Sequence, residues 1–109
     1  MTKPIPPLKT PYFAAIFTSL LRPGQEGYAE MSDKMLRMVS EQPGFLGFDS
    51  ARGDDGLGIT ISYWKDRAAI SAWKAVAEHR EAQAIGRERW YSAYSVRIAE
   101  VLEDRGVGQ

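Results

Sequence analysis

Apolar and polar positions change period several times along this chain, and each change marks an element. Tyr12 to Leu21 (YFAAIFTSLL) is an almost unbroken apolar and aromatic run, which predicts a buried strand. Arg22-Pro23-Gly24 ends it. From Gln25 to Gln42 the period becomes helical. Tyr28, Met31, Met35, Leu36 and Val39 form one stripe, and Asp33, Lys34, Arg37 and Glu41 face away from it. Pro43-Gly44 stops that helix. Phe45 to Arg52 and Leu57 to Trp64 read as two strands joined through the turn Gly53-Asp54-Asp55-Gly56, a hairpin.

Asp66 is placed to cap a second helix, with Ala69, Ile70, Trp73, Val76 and Ala77 on its apolar face. The helical signal runs through His79 to about Ile85. Gly86 bends or breaks it, and a further turn extends to Trp90. Tyr94 to Leu102 is the last strand, and the polar tail after it is expected to fray. The order strand, helix, strand, strand, helix, strand is the split βαβ, ferredoxin-like arrangement of the α+β class. Two helices cover one face of its antiparallel sheet. The other face needs a cover, and a second copy of the chain would supply it, so a homodimer is expected.

Composition narrows the chemistry. The 109 residues suit one compact domain, read as an arm over 1–11, a folded unit over 12–103 and a tail over 104–109. Acidic and basic residues balance at 14 each, so no charge field points to nucleic acid or to an anionic membrane. The absence of cysteine excludes disulfides, thiolate catalysis and zinc–thiolate sites, which fits a cytoplasmic protein. The arm carries four prolines and no apolar run, and is expected to be extended and poorly ordered, or to lie over a partner subunit. No stretch approaches the roughly 20 apolar residues that cross a bilayer.

The segment from Ile59 to Tyr94 holds all three tryptophans, the only histidine and three of the five tyrosines. Rings and one imidazole gathered there would make an apolar pocket for a planar ligand. His79 titrates near neutrality, so it suits a general base toward a phenol or a haem ligand, or equally a plain surface histidine between Glu78 and Arg80. Trp64 and Trp73 are candidate pocket walls, as against core filling. Tyr63 and Trp64 are adjacent in a strand, so only one of them faces the helices. Tyr91 and Tyr94 are candidates to orient a substrate hydroxyl. Arg80, Arg87 and Arg89 are candidates to hold an anionic substituent such as a haem propionate or a carboxylate, but their alternation with Glu78, Glu81 and Glu88 favours a solvated helix face. The glycines at 53, 56 and 58 belong to the hairpin and match no phosphate-binding loop.

Pro43 to Gly47, the strand end Ser62-Tyr63-Trp64-Lys65, Ala72-Trp73 and the block EHREAQAIGRERWY occur in an order that resembles the antibiotic biosynthesis monooxygenase superfamily over residues 12–103. That resemblance implies a dimeric α+β barrel with a pocket between sheet and helices in each subunit. It implies oxygenases that turn phenols into quinones with molecular oxygen and without metal or flavin. It also brings in members that bind and degrade haem, and many members with no established activity; for this chain a non-catalytic dimer that binds a small molecule, or one whose pocket is closed by its own rings, is the alternative from a different class. The haem degraders pair a first-strand asparagine with a tryptophan and a ligating histidine on the second helix. Trp73 matches that tryptophan, and the matching histidine position falls nearest Gln83, about three turns on. The phenol oxygenases rely on an asparagine near the end of the third strand, where this chain has Ser62. The chain contains no asparagine, so neither residue set carries over whole. The expected site is therefore His79 as catalytic base, with Trp64, Trp73, Tyr63, Gln83 and Tyr91 around a small aromatic substrate, no cofactor, and haem possible only as a substrate.

Overall fold

The computed structural model describes residues 3–24, 26–83 and 90–108, with backbone alone for 78–83. Within them the chain forms β1 (Tyr12–Leu21), α1 (Tyr28–Ser40), β2 (Phe45–Arg52), β3 (Leu57–Trp64), α2 (Arg67–Gln83) and β4 (Tyr91–Val101). The four strands make one sheet in the order β2-β3-β1-β4, and every neighbouring pair is antiparallel. This is the α+β, ferredoxin-like arrangement the sequence predicts.

Two boundaries differ from expectation, each for a local reason. α1 starts at Tyr28 because Gly27 sits at φ 85° and turns the chain into the helix. Its carbonyl takes the first helical bond, from the Met31 N–H at 3.1 Å. β4 starts at Tyr91, three residues earlier than its alternation suggests, because a bulge at Leu20/Leu21 lets Leu21 pair with Tyr91. The last residues expected in the second helix and the bend at Gly86 lie outside the described residues. Asp66 caps α2 as expected, its carboxylate accepting the Ala69 N–H at 2.8 Å.

Register assigns each strand residue to a face. One face carries Phe13, Ala15, Phe17 and Ser19 of β1 beside Trp64, Ser62, Thr60 and Gly58 of β3. Phe45, Phe48, Ser50 and Arg52 of β2 join it, as do Tyr94, Val96 and Ile98 of β4. The helices pack on this face, α1 toward β2 and α2 toward β3. The opposite face carries Tyr12, Ala14, Ile16, Thr18 and Leu20 with Tyr63, Ile61, Ile59 and Leu57, and no helix covers it among the described residues.

The proline-rich arm corrects an expectation. It is extended but tied down across one end of the helix-free face. The Ile5 N–H donates to Asp49 at 3.1 Å and the Leu8 N–H to Asp104 at 2.8 Å. Tyr63 and Tyr12 donate their hydroxyls to the same two carboxylates. The tail therefore does not fray from its start, since Asp104 is one of the anchors. Isolated prolines read as disorder in sequence. Here two acceptors, Asp49 on β2 and Asp104 just after β4, satisfy arm N–H groups that a free arm would leave to water.

Candidate functional site

Alternation along β3 separates the two aromatic residues at its end. Trp64 points to the helices and has no exposed surface. It meets Phe45 edge to face at 5.4 Å, and its indole N–H donates to Ser62 Oγ at 2.8 Å. Trp64 therefore offers no open face to a ligand and belongs to the core under the helices. Tyr63 lies on the other side of the sheet, edge to face with Tyr12 at 5.8 Å. It is thus remote from any pocket under the helices. Trp73 is half-buried on the inward stripe of α2. His79 and Gln83 are on the backbone of α2, with side chains outside the described residues.

Tyr91 is brought into a cluster that spans α1, β1 and β4. Its ring meets Phe17 at 5.3 Å, Tyr28 at 5.8 Å and Tyr94 at 6.3 Å. Trp90 stands against the far side of Tyr28 at 5.8 Å. These edge-on geometries are the attractive arrangements of aromatic quadrupoles. Below the cluster, on the helix side of β4, Tyr94, Val96 and Ile98 are 46, 49 and 42% exposed. With Phe17 they form an apolar strip on the helix side of the sheet. A polar strip runs along its other side, where the Ser50 and Thr60 hydroxyls are 2.7 Å apart and Ser62 holds Trp64.

One residue here escaped the sequence reading. Arg52, the last residue of β2, lies flat across β3 into the cluster. Its guanidinium donates to the Ser19 carbonyl at 3.2 Å, Ser19 Oγ at 2.8 Å, the Tyr28 hydroxyl at 3.2 Å and the Gly56 carbonyl. It sits 5.6 Å from the Tyr28 ring centre and 5.9 Å from that of Tyr91. Gly58, the cross-strand partner of Arg52, makes this possible, because a Cβ there would stand 2.6 Å from the guanidinium carbon. In sequence, Arg52 looks like the polar flank of a turn. Only the pairing opposite a glycine would have marked it.

Two features do not belong to this site. A shallow depression of about 220 Å³ at the start of α2 is lined by Gln42, Pro43, Gly44, Lys65, Asp66, Ala69 and Ala72, without an aromatic ring. The Tyr12–Tyr63–Asp49–Asp104 group belongs to the arm. Burial first, and then the bond to Asp104, pushes the Tyr12 hydroxyl up from its usual 10.0 to about 12. Burial, then Asp49, likewise raises Tyr63. Both remain protonated donors near neutrality. Among the described residues no three histidine, aspartate or glutamate side chains gather as a metal set, and no helix is long and apolar enough to cross a membrane.

The family description "Antibiotic biosynthesis monooxygenase" matches residues 11–85. The uncharacterized protein YqjZ of Bacillus subtilis (strain 168) is 44% identical over 95 residues, which is 87% of this chain and 83% of that protein. A putative antibiotic biosynthesis monooxygenase from Nitrosomonas europaea superposes with a TM-score of 0.71 at 18% identity, over 84% of this chain and 90% of that one. SnoaB, a cofactor-independent oxygenase from Streptomyces nogalater, superposes with a TM-score of 0.66 at 12% identity, over 92% and 100%. At these identities the two structures speak for the fold alone.

Proposed function

This chain belongs to the antibiotic biosynthesis monooxygenase family, and on that premise we propose that it oxygenates a small aromatic or polycyclic phenol without bound metal or flavin. The observation that carries this reading is the exposed apolar strip of Val96 and Ile98 on the helix side of the sheet, which runs up to the packed rings of Phe17, Tyr91 and Tyr94. Such a site takes a planar apolar body and orients its one polar edge.

In this reading a base removes the phenolic proton, and the electron-rich ring carbon of the phenolate bonds to molecular oxygen. The resulting ring hydroperoxide loses water, leaving a second carbonyl. Phenol and dioxygen thus give quinone and water, and the substrate supplies all four electrons that dioxygen takes up. The protein contributes a dry apolar site, orientation and stabilisation of developing charge. His79 is assigned the base, Trp73 a wall and Tyr91 the orienting hydroxyl, with Gln83 one turn past His79 on α2. Trp64 and Tyr63 are reassigned to support, one in the core under the helices and one at the arm. SnoaB, named a cofactor-independent oxygenase, supports the reading by analogy of fold only.

We further assign the helix-free face to a homodimer, and the cytoplasm as its setting. Oxygen consumption with 1-naphthol tests the activity. The expected result is uptake matched by quinone absorbance, reduced at least about 100-fold in His79→Ala at an unchanged melting temperature. Full turnover in His79→Ala removes the histidine from the mechanism. One observation favours a second reading, in which a non-catalytic dimer binds a small molecule: the rings of Phe17, Tyr28, Trp90 and Tyr91 already pack on one another. Absence of uptake by the wild type would select it.

A further inference from the structure

Strand pairing lines up one rung across the full width of the helix-free face. Asp49 of β2 lies opposite Ile61 of β3, Ile61 opposite Ile16 of β1, and Ile16 opposite Arg97 of β4. Two isoleucines thus stand between a carboxylate at one edge of the sheet and a guanidinium at the other. These are the only charged side chains that the four strands place on this face. Three strand spacings, about 14 Å, separate their backbones, too far for a pair within one chain. Arg97 is exposed and donates one N–H to Ser95 Oγ at 2.8 Å. Asp49 is half-buried, with one oxygen on the Ile5 N–H and the other on the Tyr63 hydroxyl. A carboxylate has room for further donors.

Two copies that pack these faces together by two-fold symmetry have their axis in the plane between the sheets. An axis across the strands sets β2 over β2 and β4 over β4, so each edge charge meets the strand that bears its own sign. An axis along the strands exchanges the edges. Asp49 and Arg97, being on one rung, then come opposite each other at both sides of the interface. The same operation keeps each end of the face over its counterpart. The exposed Leu20, Leu57 and Ile59 of the two copies meet at one end, and the arms share the other. Packed sheets lie about 10 Å apart, a gap that an arginine reaching toward a carboxylate can span.

We propose that a second copy of this chain docks on the helix-free face about an axis along the strands, with Asp49 of each copy paired to the partner's Arg97. This rests on the homodimer assigned above and adds its orientation and the charges that select it. Apolar contact supplies the attraction, and the two ion pairs reject the arrangement turned across the strands.

The chain has no cysteine, so a single introduced thiol reports a single position. Ala51 and Ser95 are the edge residues of the next rung, which passes through Ile59 and Thr18. Full-length Ala51→Cys and Ser95→Cys are mixed, left to exchange subunits, and treated with a bismaleimide of about 10 Å span, the spacing of packed sheets. The mixture is expected to give covalent dimer several-fold faster than either variant alone. Arg97→Glu sets like charges together at both edges, and its dimer dissociation constant in sedimentation is expected to rise at least about tenfold. Either thiol variant linking to itself as fast as the mixture, or an unmoved constant in Arg97→Glu, overturns this orientation and leaves the homodimer standing. A wild type that stays monomeric at every concentration overturns the homodimer, and the orientation with it.

Discussion

Each of two carboxylates on the helix-free side does two jobs: Asp49 and Asp104 each accept one arm N–H and one tyrosine hydroxyl. The Tyr12 bond, and then the Leu8 N–H, hold Asp104 below the usual carboxylate value of 3.8, while Tyr12 rises to about 12. The signs of the two shifts bound a pH window. A raised phenol contributes stability fully below its unfolded value of 10.0 and loses it as pH climbs toward about 12. A depressed carboxyl contributes above its unfolded value and loses it as pH falls below that value. Tyr12→Phe should therefore melt lower by on the order of 5 °C between roughly pH 5 and 9, with the gap closing on both sides. A gap of constant size across the whole pH range would show that ring packing alone is at work. None of these pairings was legible in the sequence. Tyr12 and Asp104 stand at opposite ends of the folded unit, and only the sheet brings them together.

The elements themselves were largely legible, because period, prolines and glycines announce them locally. What the pattern could not supply was the contact between elements. Gly44 illustrates this. The sequence marks it as a helix stop, and the structure shows it at φ 83° with a virtual Cβ 2.7 Å from the Ala69 Cβ of α2. Its carbonyl accepts the Lys65 N–H at 2.8 Å, fastening the end of α1 to the start of α2. Gly24 has a similar φ of 67° but nothing within 4 Å of its virtual Cβ. Gly24→Ala should cost about 1 kcal/mol for backbone strain alone. Gly44→Ala should cost about 3 kcal/mol, because overpacking adds to it. Equal costs in urea denaturation would show that α2 yields freely. For the candidate site, the adjacency of Tyr63 and Trp64 guaranteed opposite faces, but only the pairing of β3 with β1 and β2 decided which of them went under the helices.

At the scale of the whole molecule, the homodimer proposed above would form on the helix-free face. Leu20, Leu57 and Ile59 are 37, 50 and 44% exposed there, too large and too close together for a face left to water. The arm occupies the end near Tyr12 and Tyr63, so a second copy would meet the remainder. Sedimentation of the wild type is expected to give a dimer, and of Ile59→Lys a monomer, since a buried unpaired ammonium in such an interface is costly. A dimer that tolerates Ile59→Lys would place the interface elsewhere. The sequence foresaw an uncovered face from the element order alone, without showing that the arm takes part of it.

The arm's anchors also carry a consequence for the order of events in folding. Leu8 and Asp104 are 96 residues apart in the chain, and both sheet edges must be in place before the arm has anything to grip. Closing so long a loop is unfavourable until the intervening strands have paired. The arm is thus expected to dock after the rate-limiting step. A chain starting at Thr10 should refold as fast as the full-length protein and unfold several-fold faster in stopped-flow experiments. The strap would then act as a brake on opening, setting how long each native molecule lasts while leaving untouched how quickly it forms.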